Sequence, residues 1–252
     1  MINNLKSCYD DIKGILKSSI EPYNSCRLVE EYRQYWKPAK VNVILLAESH
    51  VFTSISDLKY KLKKNDKLES YPDQYAKFVY CIAYGEQSVT AGNHHPSKSD
   101  GTPQFWKIFY SCANKIDSNR SFSPILKSKT GTLERLENKV DLLLSLKEKG
   151  VWLVDVSIVA LYNNGKKPDS KTFNKVIQTS WNGYTKKIIE EANPKHVIIV
   201  GKGVAKNVEN DVFSMMGDNY TVIPQPQAHL SSEQHLLNFQ KYYDICCKFH
   251  KT

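Results

Sequence analysis

Four short apolar runs, separated by helix-like patterns, constrain the fold of this 252-residue chain more than any other feature. The runs are rich in Val, Ile and Leu and mostly lack the apolar–polar alternation of a strand with one solvated face. Buried strands that alternate with helices are typical of a parallel sheet covered on both sides. The runs lie at 41–47, 151–157, 196–200 and 220–225.

The sequence therefore predicts an α/β fold, a three-layer α/β/α sandwich with a central four-stranded parallel sheet. We expect one domain over residues 1–252, with N-terminal helices in 1–40 and the α/β core in 41–250, because no linker or repeat divides the chain. A capping box at Ser231 and Gln234 marks the start of the last helix. Helical spacing is predicted at 3–20, 28–36, 72–82, 104–115, 133–150, 182–192, 203–213 and 231–249.

The composition indicates which kind of partner to expect and argues against a membrane-spanning helix. Lys and Arg number 35 against 26 Asp and Glu, a net charge of +9 that favours nucleic acid as a partner. No apolar run approaches the roughly 18 residues that cross a membrane, and the N-terminus does not resemble a signal peptide, so we expect a cytoplasmic protein. The six cysteines form no C-x-x-C pair, and the His94-His95 pair has no third ligand at suitable spacing, so neither a metal nor a cofactor is expected.

Polar residues follow three of the four predicted strands. In open α/β sheets, ligands bind beyond the carboxyl ends of the strands, so these residues are expected to converge on one site. Ser231 and Ser232 then open a helix whose backbone N–H groups are suited to a phosphate. The residues at the strand ends are Glu48, Ser49 and His50; Asp155 and Ser157; and Gln225, Gln227 and His229.

Five segments, in this order, resemble the motifs of the uracil-DNA glycosylase superfamily. They are AESH at 47–50, the Phe105-Trp106 pair, GVWLVD at 150–155, HVIIVGKGVA at 196–205 and IPQPQAHLS at 223–231. The resemblance covers about residues 40 to 240. It departs from the family where Ser49 replaces a catalytic Asp and where Gln225 replaces a His, although His229 follows four residues later. His95-Pro96-Ser97 also spells the last motif, but it precedes the second strand and is interpreted as coincidence.

The resemblance implies a monofunctional DNA glycosylase that flips out one nucleotide, needs no cofactor and leaves an abasic site. By this resemblance Glu48 positions a water and supports the sugar cation, with Ser49 and His50 beside the same water or a flanking phosphate. Gln225 and His229 are expected to donate to the departing base. The base-binding candidates are Asp155, Ser157, Tyr84 and Phe105, and the DNA-binding candidates are Leu230, Ser231, Ser232 and Lys202. We expect a monomer that binds the phosphate backbone of DNA.

Asp155 suggests which base is excised. Uracil-reading relatives have an Asn at this position, whose amide donates to O4, whereas a carboxylate cannot donate and suits the N4 amino group of cytosine. We therefore expect a modified cytosine, hydroxymethylated or glucosylated, in foreign or phage DNA. Alternatively, Asp155 turns away to cap a turn, which leaves a repair enzyme for uracil or another deaminated base. The chain also fits a catalytically inert DNA-binding relative, or a nucleotide-binding protein whose phosphate loop is Gly201-Lys202-Gly203.

Overall fold

The protein is an α/β structure built on a four-stranded, all-parallel sheet, as seen in a computed structural model. The structure describes residues 2–92, 96, 102–163, 165–226 and 228–250. The strands are β1 Val43–Ala47, β2 Val151–Asp155, β3 His196–Val200 and β4 Tyr220–Ile223. These bounds confirm the predicted strands to within two residues at each end.

Eight α-helices surround the sheet in the described part of the chain. A π-helical turn, Trp181–Thr185, joins the fifth helix to the sixth. The helices are α1 Ile2–Leu16, α2 Tyr23–Tyr35, α3 Pro103–Ala113, α4 Thr132–Glu148, α5 Ser170–Ser180, α6 Lys186–Ala192, α7 Lys202–Met216 and α8 Ser232–His250.

The strand order β2-β1-β3-β4 fixes where the helices and the site lie. The chain leaves β1 towards β2 on one side and later crosses to β3 on the other, so the order reverses between β1 and β3. Right-handed crossovers place α3 and α4 on one face of the sheet and α5, α6 and α7 on the opposite face. Contacts of α8 with α3 and of α1 with α5 extend these two layers, an arrangement consistent with a three-layer sandwich.

Burial explains why the first three strands lack polar alternation. Every residue of β1, β2 and β3 is buried, so both faces of these strands pack against helices. The edge strand β4 is only partly buried before Ile223. The capping box is confirmed: Ser231 N–H donates to Gln234 Oε1 at 3.0 Å, and Gln234 N–H donates to Ser231 Oγ at 3.2 Å.

Two helix predictions need correction. Residues 72–82 form irregular turns, because the Tyr71 hydroxyl accepts from Ile82 N–H and donates to the Tyr80 carbonyl, which closes the segment on itself. The helix predicted at 182–192 starts earlier, since α5 runs into it through the π-helical turn. In the described part of the chain, no helix is long and apolar enough to cross a membrane.

Candidate functional site

Glu48 lies at the point where the strand order reverses. It follows β1 directly and is half-buried. A Cβ atom added to Gly203 would lie 3.8 Å from Glu48 Oε2, so the carboxyl group sits beside the first turn of α7. A helix N-terminus stabilises negative charge, and this is the position in the sheet where open α/β proteins bind ligands.

The charge on Glu48 is set by burial and by two neighbours from the loop after β2. Burial raises the pKa of Glu48, while Lys167 and an interaction with the Tyr162 hydroxyl act in the opposite direction and Asp155 raises it further. Burial and the same carboxyl group raise the pKa of Tyr162 to about 12, so its phenol is a hydrogen-bond donor at neutral pH. A half-buried carboxyl group with a raised pKa is suited to orienting a water and accepting its proton.

Gln225 lies on the other side of the turn between β3 and α7. Gly201 has a positive φ of 106°, and a Cβ atom at this position would lie 2.6 Å from Gln225 Cγ. Only glycine adopts this conformation without strain and also lets the Gln225 side chain approach. Glu48 and Gln225 therefore flank one short segment, 201–203, and are the two predicted catalytic residues that lie beside it.

His50 has a different environment from the one predicted. Its side chain is fully buried, and Nε2 lies 2.6 Å from Glu21 Oε1. Nδ1 lies 3.7 Å from Asp155 Oδ2. Burial lowers the pKa of His50, but Glu21 and Asp155 outweigh this effect and raise it to about 9. The buried ring leaves no surface for a flanking phosphate, so His50 is a charged link between two buried carboxylates.

Asp155 is part of the same buried ion network. Its Oδ2 accepts from Arg33 Nη2 at 3.2 Å, and Arg33 also pairs with Glu30 of the same helix. Only 3% of Asp155 is exposed. Asp155 thus neither caps a turn through this oxygen nor faces open solvent; it anchors α2 to the carboxyl end of β2.

Ser49 and Ser157, two of the predicted site residues, form hydrogen bonds to the backbone of the loop after β2. The Ser157 hydroxyl is buried, donates to the Val159 carbonyl at 2.7 Å and accepts from Val159 N–H at 3.3 Å. These bonds direct Ser157 towards its own turn and away from a base. Ser49 is half-buried, and its Oγ accepts from Leu161 N–H at 3.4 Å.

The two predicted base-binding aromatic residues pack within the aromatic core. Tyr84 is buried, with its ring edge-on to Tyr75 at a centroid distance of 6.5 Å. Phe105 is half-buried in α3 and lies 5.5 Å from the Phe109 ring.

The predicted DNA-binding residues lie at the starts of two helices. Lys202 is exposed at the first residue of α7, and Ser232 is exposed at the first residue of α8. The Ser231 hydroxyl and N–H are used by the capping box. His229 is exposed and Leu230 half-buried in the connection before α8. Gln227, His94, His95 and Ser97 lie outside the described residues.

Four residues near the site were not predicted: Glu21, Arg33, Tyr162 and Lys167. Tyr162 and Lys167 follow β2, so the rule about strand ends could have found them. Glu21 and Arg33 precede the sheet in sequence and carry no comparable signal. The loop that holds Tyr162 also borders a groove of about 380 Å³ against the end of α1, with Lys166 and Lys167 in its wall.

Comparisons of the chain with protein-family models, with curated proteins and with solved structures found no match. No family is therefore assigned to the chain.

Proposed function

We propose that this protein is a DNA N-glycosylase of the uracil-DNA glycosylase type, which extrudes one nucleotide and hydrolyses the bond between its base and sugar. The observation that carries the proposal is the half-buried Glu48, beside the first turn of α7 and opposite Gln225. Breaking an N-glycosidic bond builds positive charge on the sugar and negative charge on the departing base. A carboxylate and a neutral hydrogen-bond donor on the two sides of segment 201–203 match these two charges.

In this proposal Glu48 acts in its charged form. It stabilises the developing sugar cation and orients the attacking water, whose proton it accepts. Gln225 donates its amide N–H to an oxygen of the departing base. Lys202 and the exposed start of α8 at Ser232 bind phosphates on the two sides of the extruded nucleotide.

The proposed substrate is a modified cytosine of foreign or phage DNA. Asp155 is ion-paired with Arg33, and an ion-paired carboxylate accepts hydrogen bonds without donating one. Such a group suits the N4 amino group of cytosine and repels the O4 of uracil. A hydroxymethyl or glucosyl group distinguishes foreign DNA from the ordinary cytosine of the cell.

One observation favours a second candidate, the repair of uracil or another deaminated base. Asp155 is 3% exposed and uses Oδ2 for Arg33. If the carboxylate serves only this network, it does not contact the base, and the argument for cytosine no longer applies.

Abasic-site formation in four matched DNAs tests the proposal. The DNAs contain uracil, cytosine, hydroxymethylcytosine or glucosylated hydroxymethylcytosine at one position, and alkali cleaves the chain wherever the base has been lost. We expect cleavage at a modified cytosine with the wild type and a loss of about 10²-fold or more with Glu48→Gln. Cleavage only at uracil would select the repair enzyme. DNA binding without cleavage in any of the four would identify an inert DNA-binding protein.

Asp57→Asn is a suitable control for the fold. Asp57 is another buried carboxylate, and it pairs with Lys77 and Ser54 in the segment after β1. Its substitution disturbs a buried ion pair that involves neither Glu48 nor Gln225, so excision by this variant is expected to match the wild type once the folded fraction is taken into account.

A further inference from the structure

Glu21 joins three segments that are far apart in sequence. It lies between α1 and α2 and is fully buried. Its Oε1 accepts from His50 Nε2 at 2.6 Å and from Ala160 N–H at 2.8 Å. His50 follows β1 and Ala160 follows β2, so one carboxylate oxygen fixes the loop after β2 to the end of β1.

A second hydrogen bond fixes the same loop one residue further on. Leu161 N–H donates to Ser49 Oγ, the residue directly after Glu48. The next residue is Tyr162, which is 39% exposed; burial and then the Glu48 carboxyl group raise the pKa of its hydroxyl to about 12. The backbone of the two residues before Tyr162 is thus attached to the strand end that carries Glu48.

We propose that Glu21, held by His50, and Ser49 are positioning residues, which hold Tyr162 against the Glu48 carboxyl group by fixing the backbone at Ala160 and at Leu161 respectively. Without these bonds, a half-exposed tyrosine on a loop would lose backbone and side-chain entropy to reach Glu48. The catalytic consequence rests on the proposed function, because only that function assigns the water to Glu48. The positioning itself does not depend on it.

The buried surroundings of His50 make this link permanent at neutral pH. The groups facing the ring are Glu21 from the α1–α2 connection and Asp155 from β2, with Arg33 behind Asp155 and Phe78 at the ring edge. The two carboxylates overcome the effect of burial and raise the pKa of His50 to about 9. Nε2 therefore carries a proton for Glu21 throughout the range in which the protein would act.

The titration of the Glu48 carboxyl group, followed by ¹³C NMR of the full chain, tests this proposal. The Glu48 signal is assigned by its loss in Glu48→Gln. Tyr162→Phe removes the hydrogen-bond donor and is expected to raise the pKa of Glu48 by about one unit. Glu21→Met removes the acceptor of Ala160 N–H and is expected to raise the pKa of Glu48 by a similar amount. The double variant Glu21→Met with Tyr162→Phe is expected to raise this pKa no further than Glu21→Met alone.

The direction of the change separates positioning from simple electrostatics. Removing the negative charge of Glu21 lowers the pKa of a neighbouring carboxyl group, whereas losing the Tyr162 contact raises it. Glu21→Gln keeps an oxygen for Ala160 N–H, so we expect this variant to stay close to the wild type. Asp57→Asn, the matched buried carboxylate, is expected to leave the Glu48 titration unchanged.

An unchanged or lowered pKa of Glu48 in Glu21→Met would overturn the proposal, as would an unchanged pKa in Tyr162→Phe. If Glu21→Met does not fold, Ser49→Ala supplies the test, because it removes the bond to Leu161 at a half-buried site and is expected to raise the pKa of Glu48 by a smaller amount.

Excision assays keep the two proposals separate. The expected titrations without base excision would refute the glycosylase alone, and excision with an unchanged Glu21→Met titration would refute the positioning alone.

Discussion

Two carboxyl groups follow neighbouring strands at the same edge of the sheet, yet their surroundings give them different chemistry. Glu48 is half-buried, and the lysine that faces it, Lys167, is exposed. Asp155 is buried and held by the Arg33 guanidinium. A carboxyl group that keeps access to solvent and is only weakly neutralised can exchange a proton with water, so Glu48 is the better candidate for catalysis.

The pH dependence of excision is expected to follow Glu48. In the proposed function the charged form is active, so the rate is expected to fall as the pH falls through the pKa of Glu48, which burial places above its ordinary value. Lys167→Ala removes a cation that favours the charged form. It is expected to move the acid limb up by roughly 0.3 pH unit, since an exposed lysine is screened by solvent. Single-turnover excision rates measured across pH check this, and an acid limb that moves to lower pH in Lys167→Ala would contradict it.

Two buried histidines are expected to make the free energy of unfolding depend on pH in opposite directions. The folded pKa of His50, about 9, lies above its ordinary value, so its contribution is complete below pH 6.5 and is lost as the pH rises through 9. The folded pKa of His196 is about 4, because burial disfavours its charge, so its contribution is present above pH 6.5 and is lost as the pH falls through 4. Each amounts to about 3 kcal/mol.

Urea unfolding at several pH values measures both histidine contributions. His50→Gln is expected to flatten the decline in unfolding free energy above neutral pH and to leave the acid side unchanged. His196→Gln should do the reverse. A wild-type free energy of unfolding that does not fall between pH 6.5 and pH 9.5 would contradict the ion network assigned to His50.

Among the elements, the segment that joins β3 to α7 contains two glycines, Gly201 and Gly203. The effect of an alanine substitution on stability is expected to differ between them. Gly201→Ala introduces a Cβ atom 2.6 Å from Gln225 Cγ at a positive φ, so it is expected to cost about 1–2 kcal/mol and to displace Gln225. Gly203→Ala is the matched control, because its Cβ atom would meet only Glu48 Oε2 at 3.8 Å. It is expected to be neutral or to stabilise α7 by about 0.5 kcal/mol. Thermal unfolding compares the two, and equal losses would contradict the described turn.

The elements that local pattern determines were predictable, and those that tertiary contacts determine were not. Strands β1 to β3 are buried on both faces, so their apolar runs are continuous and recognisable. Residues 72–82 have helix-like apolar spacing but pack as turns through Tyr71. In α5, SKTFNKVIQTS, the polar residues on the outer face hide a helix whose apolar residues point inward.

The same distinction holds for the candidate site, where some residues could be predicted from the sequence and others could not. Glu48 and Gln225 were found because the carboxyl ends of parallel strands meet at one edge. The partners of His50 and Asp155 were not, because Glu21 and His50 are 29 residues apart and Arg33 and Asp155 are 122 apart. No local pattern encodes such pairs. The prediction for Asp155 therefore lacked the guanidinium that the fold places against it.

At the scale of the whole molecule, the excess of positive charge is expected to appear as salt-dependent DNA binding. The net charge is +9, and Lys202 and Lys167 are exposed at the carboxyl edge of the sheet. Each phosphate contact that is removed reduces the slope of log K against log salt by about 1. Lys202→Ala and Lys167→Ala are expected to show this reduction. Lys40→Ala, an exposed lysine just before β1 at the opposite edge, should not. Fluorescence anisotropy at several salt concentrations measures the slopes, and equal slopes for all three variants would contradict a binding face at the carboxyl edge.

In the proposed function, Glu48 supports hydrolysis of an N-glycosidic bond in DNA. The direct measurement of this role is mass spectrometric detection of the free base. DNA that contains hydroxymethylcytosine and DNA that contains uracil are each incubated with the wild type, Glu48→Gln or Asp57→Asn. We expect the wild type and Asp57→Asn to release free hydroxymethylcytosine in amounts equal to the abasic sites formed, and Glu48→Gln to release about 10²-fold less. Equal release by wild type and Glu48→Gln, or no free base from either DNA, would contradict this role of Glu48.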